Sequence, residues 1–260
     1  MNRPRILVNV AMTADGKIDS AAHKGAAISS IADKRRVDEL RASVDAVLVG
    51  GRTLLNEDPK LTVKSAELRA ERLRKGWPEN PAKVGVVSEI PFVETGLVPA
   101  QEGRPHCSCR EHRRHIGARR QGWPLQNFLT SGPAQVYLFT TRCTAPEVLA
   151  AFETAGATVH AMGQERVDLV AVFRSLHEAG IRSVLVEGGG TLITELFRLD
   201  LVDELTIYIA PKIFGGNSAP TLADGHGFLP NQAPGLKLES VENFDNEGGI
   251  LVHYFVEHEE

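Results

Sequence analysis

The sequence predicts an α/β fold: a mostly parallel central sheet with helices on both faces, finished by an antiparallel pair of strands. Three observations carry this expectation. Short apolar runs of strand length alternate with longer runs of helical periodicity along most of the chain. Several of the strand-like runs end in glycines or hydroxyl residues that open a helix. The last two strand-like runs are separated only by Asp245-Asn246-Glu247-Gly248-Gly249, a turn signal that reads as a hairpin.

Taken in order, the run 6–11 is short, apolar and β-branched, as a buried strand is, and Thr13-Ala14-Asp15-Gly16-Lys17 turns the chain after it. Ser30 with Asp33 three residues on reads as a helix start, and Val37, Leu40 and Val44 are spaced for one apolar face. The run 45–51 is a second strand that closes on Gly50 and Gly51, with Arg52 and Thr53 in the first turn of a short helix. Runs 83–88 and 135–140 are the third and fourth strands. Pro146 near a first turn and Gly156 just past the end bracket a helix over 146–155. A strand over 157–161, a helix over 167–179 closed by Gly180, and a strand over 183–186 follow. That strand passes through Glu187-Gly188-Gly189-Gly190 into a helix over 191–199. The run 203–210 is a strand ended by Pro211, and 237–244 with 250–256 form the hairpin.

One span breaks the pattern. From about 99 to 126 the periodicity disappears and arginine and histidine accumulate, which reads as an irregular basic insertion within a single domain covering 1–260. Its His106, Cys107, Cys109, His112 and His115 are poorly spaced for zinc, and no metal is expected.

Composition narrows the function classes. The chain has 260 residues, 42% of them hydrophobic and 24% charged, enough for one large core. A net charge of −4 makes a general polyanion-binding surface a poor expectation, so any phosphate site must be local. Cys107, Cys109 and Cys143 make no even disulfide framework, and no apolar run approaches the roughly 20 residues that span a bilayer. A cytoplasmic protein bound to neither membrane nor nucleic acid is the expectation.

The chemistry-bearing signals sit where strands end. Gly188, Gly189 and Gly190, followed by Thr191, let backbone approach a ligand and leave N–H groups free at a helix start, which suits an anion. The same residues also serve as a tight turn for helix–sheet packing, and the spacing alone does not separate the two. Gly50, Gly51, Arg52 and Thr53 offer a second such junction, and Thr140-Thr141-Arg142 a third. Ligands collect outside the carboxyl ends of strands in open α/β sheets. The acids that could act there are Asp15, Glu57, Asp58 and Glu187.

Read in order, several stretches resemble the reductase of riboflavin biosynthesis, which occurs alone or as the C-terminal half of a bifunctional deaminase/reductase. They are 8–18 (VNVAMTADGKI), Leu40-Arg41-Ala42 leading to 45–50, 57–63 (EDPKLTV), 185–190 (LVEGGG), 201–205 (LVDEL) and Ile209-Ala210-Pro211, with Phe214-Gly215-Gly216 before the hairpin. The resemblance covers nearly the whole chain apart from the insertion. It departs at Glu57-Asp58, where two aspartates are usual, and at Lys64, where an arginine is common; charge type is kept in both.

The resemblance implies a dihydrofolate-reductase-like fold, a homodimer, and reduction of the ribosyl C1′ of a ribosylaminopyrimidine 5′-phosphate. NADPH, with NADH as the alternative, would lie across Gly188, Gly189, Gly190, Thr191 and the turn of Gly50, Gly51, Arg52 and Thr53, with Thr141 and Arg142 near its adenosine phosphate. Lys17, Ser29, Arg41, Asp58 and Glu187 would hold the substrate, Asp58 and Glu187 also serving catalysis, with Asp58 the candidate proton donor. Since no deaminase half precedes Met1, reduction alone is expected. A related reductase of another substrate, such as a pterin, and a non-catalytic nucleotide-binding regulator are the competing readings.

Overall fold

The alternation becomes a single nine-stranded sheet in a computed structural model of the chain, which describes residues 2–22, 25–88, 90 and 125–258. The elements are β1 (Arg5–Thr13), α1 (Ile31–Ser43), β2 (Ala46–Gly50), α2 (Gly51–Glu57), α3 (Ala66–Arg74), β3 (Ala82–Val86), α4 (Gln126–Thr130) and β4 (Val136–Thr140). They continue as α5 (Pro146–Thr154), β5 (Thr158–Ala161), α6 (Leu169–Glu178), β6 (Ser183–Val186), α7 (Gly190–Arg198), β7 (Glu204–Ala210), β8 (Gly235–Asn243) and β9 (Ile250–Glu257). The sheet order is β5-β4-β3-β2-β6-β1-β7-β9-β8. Strands β1 to β7 are mutually parallel, β9 joins β7 antiparallel, and β8 pairs antiparallel with β9.

The parallel strands are buried on both faces, and their sequences show it. Every residue of β2, β3 and β4 is buried, which is why these segments read as continuous apolar runs and not as alternating ones. On one face α6 and α7 press Val172, Phe173, Leu176, Ile193 and Leu196 onto Ile6, Leu48 and Val184. On the other, Leu54, Phe128 and Phe152 from α2, α4 and α5 cover Val47, Leu138 and Leu185. Helices therefore lie on both faces, and the C-terminal hairpin forms as expected.

Three local features differ from, or add to, what the sequence predicts. Ser30 caps α1 by accepting from the Asp33 N–H at 3.1 Å. The deepest positions of that helix are nonetheless the polar Asp33 and Asp38, with Val37 and Leu40 only half-buried. Asp33 binds Arg36 at 2.6 Å, and Asp38 accepts from the backbone N–H groups of Lys64 and Ser65 at 2.6 and 2.8 Å. The apolar spacing finds the helix, but its buried face carries two acids, Asp33 paired within the helix and Asp38 bound to the segment before α3. Helix α3 carries no apolar stripe (AELRAERLR) and so gave no periodic signal. Helix α4 begins at Gln126, and Leu125 before it is buried, so the irregular span ends short of 125. The rest of that span, including His106, Cys107, Cys109, His112 and His115, lies outside the described residues.

One consequence of the strand order matters for function. Because β1 to β7 all point the same way, the segments that follow them emerge along one rim. Moving along that rim one meets Thr141 and Arg142 after β4, Gly51 to Thr53 after β2, Glu187 to Thr191 after β6, and Lys17 after β1.

Candidate functional site

The two glycine turns belong to adjacent strands and touch. Gly50 donates its N–H to the Gly188 carbonyl at 3.1 Å, which joins the end of β2 to the end of β6. Gly188 and Gly189 have φ of 148° and 96°, conformations that L side chains avoid, so glycine is required to make this turn. A side chain on Gly189 would also point at the Gly50 backbone, 3.6 Å from its Cα. No side chain caps α7, whose N-cap is Gly189, nor α2, whose N-cap is Gly50. Two uncapped helix starts therefore meet at the middle of the rim, both built from backbone.

Glu187, the residue just before this turn, faces a different neighbour. Its two carboxylate oxygens take Nε and Nη2 of Arg41, each at 2.6 Å, and Arg41 Nη1 donates to the Thr62 carbonyl at 3.1 Å. Arg41 sits in the last turn of α1, and long helical side chains lean toward the N-terminus, which carries the guanidinium up toward the rim. Burial pulls the Arg41 pKa down, but the Glu187 carboxylate outweighs it and the net shift is upward. The pair is a forked, charge-assisted contact, the strong kind.

Beside this pair opens a cleft of 190 Å³ lined by Ala26 to Ser29, Lys34, Val37, Asp38, Arg41 and Lys64. Ser29 and Arg41 thus line the same cleft. Lys34 and Lys64 also wall the cleft; nothing local in the sequence marks Lys34, and Lys64 stands out there only as a departure from the family pattern. Their ammonium groups form no ion pair or hydrogen bond among the described residues, whereas Arg41 is committed to Glu187. Asp38 turns Lys64 into the cleft by holding its N–H.

The remaining candidates are placed as follows. Lys17 lies after β1 in an isolated bridge to Thr221, with its N–H on the Thr13 hydroxyl at 3.0 Å. Asp15 in the same turn accepts from the Thr13 hydroxyl and from the N–H groups of Phe214 and Gly215, and these bonds bring its carboxyl down to about 2. Asp58 has the left-handed φ of 45°, and its two carboxylate oxygens accept the Asn127 and Phe128 N–H groups at 2.9 Å each, so it caps α4. It is not among the residues that line the cleft. Thr141 is buried, and its hydroxyl donates to the Ser88 carbonyl, while Arg142 is exposed beside it. Arg52 is exposed and 3.8 Å from Asp224, and Thr191 is exposed at the start of α7. Among the described residues no cluster of His, Cys, Asp and Glu could hold a metal ion.

The rim and cleft together can hold an extended ligand bearing phosphates at the glycine turns and a second anion among Lys34 and Lys64, with the Glu187–Arg41 pair between. The relative from Archaeoglobus fulgidus named 2,5-diamino-6-ribosylamino-4(3H)-pyrimidinone 5′-phosphate reductase is 39% identical over 252 residues, covering 97% of this chain and 99% of the relative. A protein of the same name from Methanothermobacter thermautotrophicus is 32% identical over 254 residues, 98% of this chain and 99% of that one. Among solved structures, RibD of Acinetobacter baumannii shares the fold with a TM-score of 0.68 at 20% identity. The match covers 99% of this chain, which spans 59% of that longer protein. The model of the RibD C-terminal domain matches residues 4–248, and the chain belongs to that family.

Proposed function

We propose that this reductase of riboflavin biosynthesis delivers hydride from NADPH to the ribosyl C1′ of a ribosylaminopyrimidine 5′-phosphate, giving the ribitylamino product. The single observation that carries the reading is the double role of the segment 187–190. Its glycines form a backbone cradle with Gly50, and its glutamate, one residue earlier, anchors the wall of a cationic cleft. On this reading the segment holds cofactor and sugar side by side, which is what hydride transfer requires.

The cradle fits a dinucleotide: two helix starts without side-chain caps leave N–H groups for phosphate oxygens, and glycine permits close approach. Gly50, Gly51, Arg52, Thr53, Gly188, Gly189, Gly190 and Thr191 would hold the pyrophosphate portion, with Thr141 and Arg142 farther along the rim toward the adenosine end. Bound NADPH supplies the hydride. Lys34, Lys64 and Ser29 receive the 5′-phosphate, and Lys17 holds the same substrate from the β1 end of the rim. Arg41, held by Glu187, orients the sugar and pyrimidine.

Asp58 is our candidate for returning a proton to the ring oxygen. A second reading has a specific observation behind it: both Asp58 oxygens accept N–H groups of α4, which suits a residue that holds structure or sugar hydroxyls while water supplies the proton. We further infer a homodimer, from the uncovered apolar face of the hairpin, and a cytoplasmic location, from the biosynthetic role of the relatives.

The test is NADPH consumption with the diaminopyrimidinone and the aminouracil substrates in parallel. Turnover of neither, together with turnover of a pterin, would move the chain to another reductase class; tight NADPH binding with no oxidation would make it a regulator. Asp58→Asn is expected to slow single-turnover hydride transfer about 100-fold while leaving NADPH affinity within a few-fold. Unchanged hydride transfer would remove Asp58 from proton delivery.

A further inference from the structure

The cofactor cradle and the Lys17 turn are separate segments of chain, yet one side chain outside both contacts each of them through a single turn. Asp224 lies in the connection between β7 and β8. Its Oδ1 accepts the Thr221 N–H at 3.1 Å and the Thr221 hydroxyl at 2.8 Å, closing the turn 221–224 on itself. On one side of this turn Thr221 forms the bridge to Lys17, and the Ile18 N–H donates to the Pro220 carbonyl at 2.9 Å. On the other side the Thr221 carbonyl lies so close to Gly190 that no Cβ fits there. Asp224 Oδ2 faces the same glycine, 3.0 Å from where its Cβ would be, and is 3.8 Å from Nη1 of Arg52.

We propose that Asp224 is a positioning residue for both halves of the site: by folding the turn 221–224 it fixes the wall that Lys17 and the start of α7 share. The inference rests on the cofactor and substrate placement read above. The carboxylate is three-quarters buried, and its bonds to Thr221 are local and neutral-donor bonds, so what it supplies is shape. Its ion pair with the exposed Arg52 is long and solvated and adds little. Gly190 belongs to the same device. Its missing side chain is what lets the wall reach α7, a constraint distinct from the backbone conformations required of Gly188 and Gly189.

The defining expectation is a shared effect. With Asp224→Ala the turn loses both Thr221 bonds, and the KM values for cofactor and for sugar phosphate rise together, each roughly tenfold, while kcat changes less. Asp224→Asn keeps an oxygen for the Thr221 donors and removes the charge, so it restores both KM values to within about twofold of the parent. A rise in only one KM, or in neither, overturns the proposal. An asparagine variant as impaired as the alanine one also overturns it, because charge opposite Arg52 would then be the operative property.

Should Asp224→Ala not fold, Thr221→Val removes one of the two donors, and Gly190→Ala presses on the same contact from the α7 side. Both must reproduce the paired KM effect. Amide hydrogen exchange reads the wall with no ligand present: protection at Lys17 and Ile18 and at Thr191 and Leu192 must fall together in Asp224→Ala. Independent behaviour of the two segments sinks the inference even if the parent enzyme proves inactive on every substrate tried, an outcome that would count against the functional reading alone.

Discussion

At the scale of single residues, the Arg41–Glu187 pair is a largely buried ion pair at the wall of the cleft. Its side chains are 16% and 11% exposed, so the pair is largely withdrawn from water, and each partner alone would be a poorly solvated charge. Glu187→Ala is expected to lower stability by about 2–3 kcal/mol in urea denaturation, and Arg41→Ala by a similar amount. The double variant should cost clearly less than the sum, with a coupling of about 1–3 kcal/mol. Additivity to within about 0.5 kcal/mol would mean that the two charges do not depend on each other. Lys34 and Lys64 differ in kind. Lys34→Ala with Lys64→Ala should leave the melting temperature nearly unchanged while raising KM for the phosphorylated substrate by at least about tenfold and sparing KM for NADPH. Equal effects on both KM values would move the phosphate seat elsewhere. The acid and the glycines of the 187–190 segment could be singled out from the sequence, because strand-to-glycine junctions are local. Their partners could not, because Arg41 is 146 positions away from Glu187 and nothing in either neighbourhood encodes the pairing.

At the scale of elements, α4 shows how a short helix is held from outside. Asp58 caps its first turn, and the buried Lys83 ammonium donates to the Phe128 carbonyl at 2.9 Å and to the Ser131 carbonyl at its other end. Lys83 projects from a strand buried throughout, and burial brings its pKa from 10.5 down to about 8, with the Asp58 charge opposing the shift. The sign of the linkage follows. Between pH 8 and 10.5 the unfolded chain keeps a proton that the folded one has released. The contribution of this group to stability therefore rises with pH across that window, by up to about 3 kcal/mol, and below it the full burial cost applies. Urea denaturation at several pH values from 7.5 to 10 checks this against Lys83→Met, which should abolish the slope. A parent and variant with the same slope would place the titration elsewhere. Nothing in the run 83–88 announced a capping lysine, and α4 itself was invisible to periodicity because five residues are too few to repeat.

At the scale of the whole molecule, the sheet is covered unevenly. Helices α6 and α7 cover the parallel strands, and Leu205, Ile207, Tyr254 and Val256 belong to that core or pack against it. Beyond them, the register puts Leu236, Leu238 and Val241 opposite Val256, Tyr254 and Val252, on the same face. Leu238 and Val241 are 53% and 57% exposed on an edge strand, an apolar surface continuous with the core. A second copy of the chain covering this face is the homodimer we infer. Sedimentation at micromolar concentration should give a dimer, and Leu238→Glu with Val241→Glu should give a folded monomer. A monomeric parent protein, or a dimer indifferent to both substitutions, would reject the interface.

What the sequence by itself determined is the nine strands, the helices other than α3 and α4, their order, and the glycine and proline punctuation between them. Those signals are local: periodicity, caps and turns act over a few residues, so a linear reading recovers β6 with its bounds unchanged and most other elements within a residue or two. The tertiary structure alone decided that β6 inserts between β1 and β2, and this strand order is what brings Gly188 onto Gly50 and Glu187 onto Arg41. Long-range pairing is selected by burying several apolar faces at once and by satisfying charges between distant segments. Neither requirement leaves a mark that can be read from any one stretch of chain.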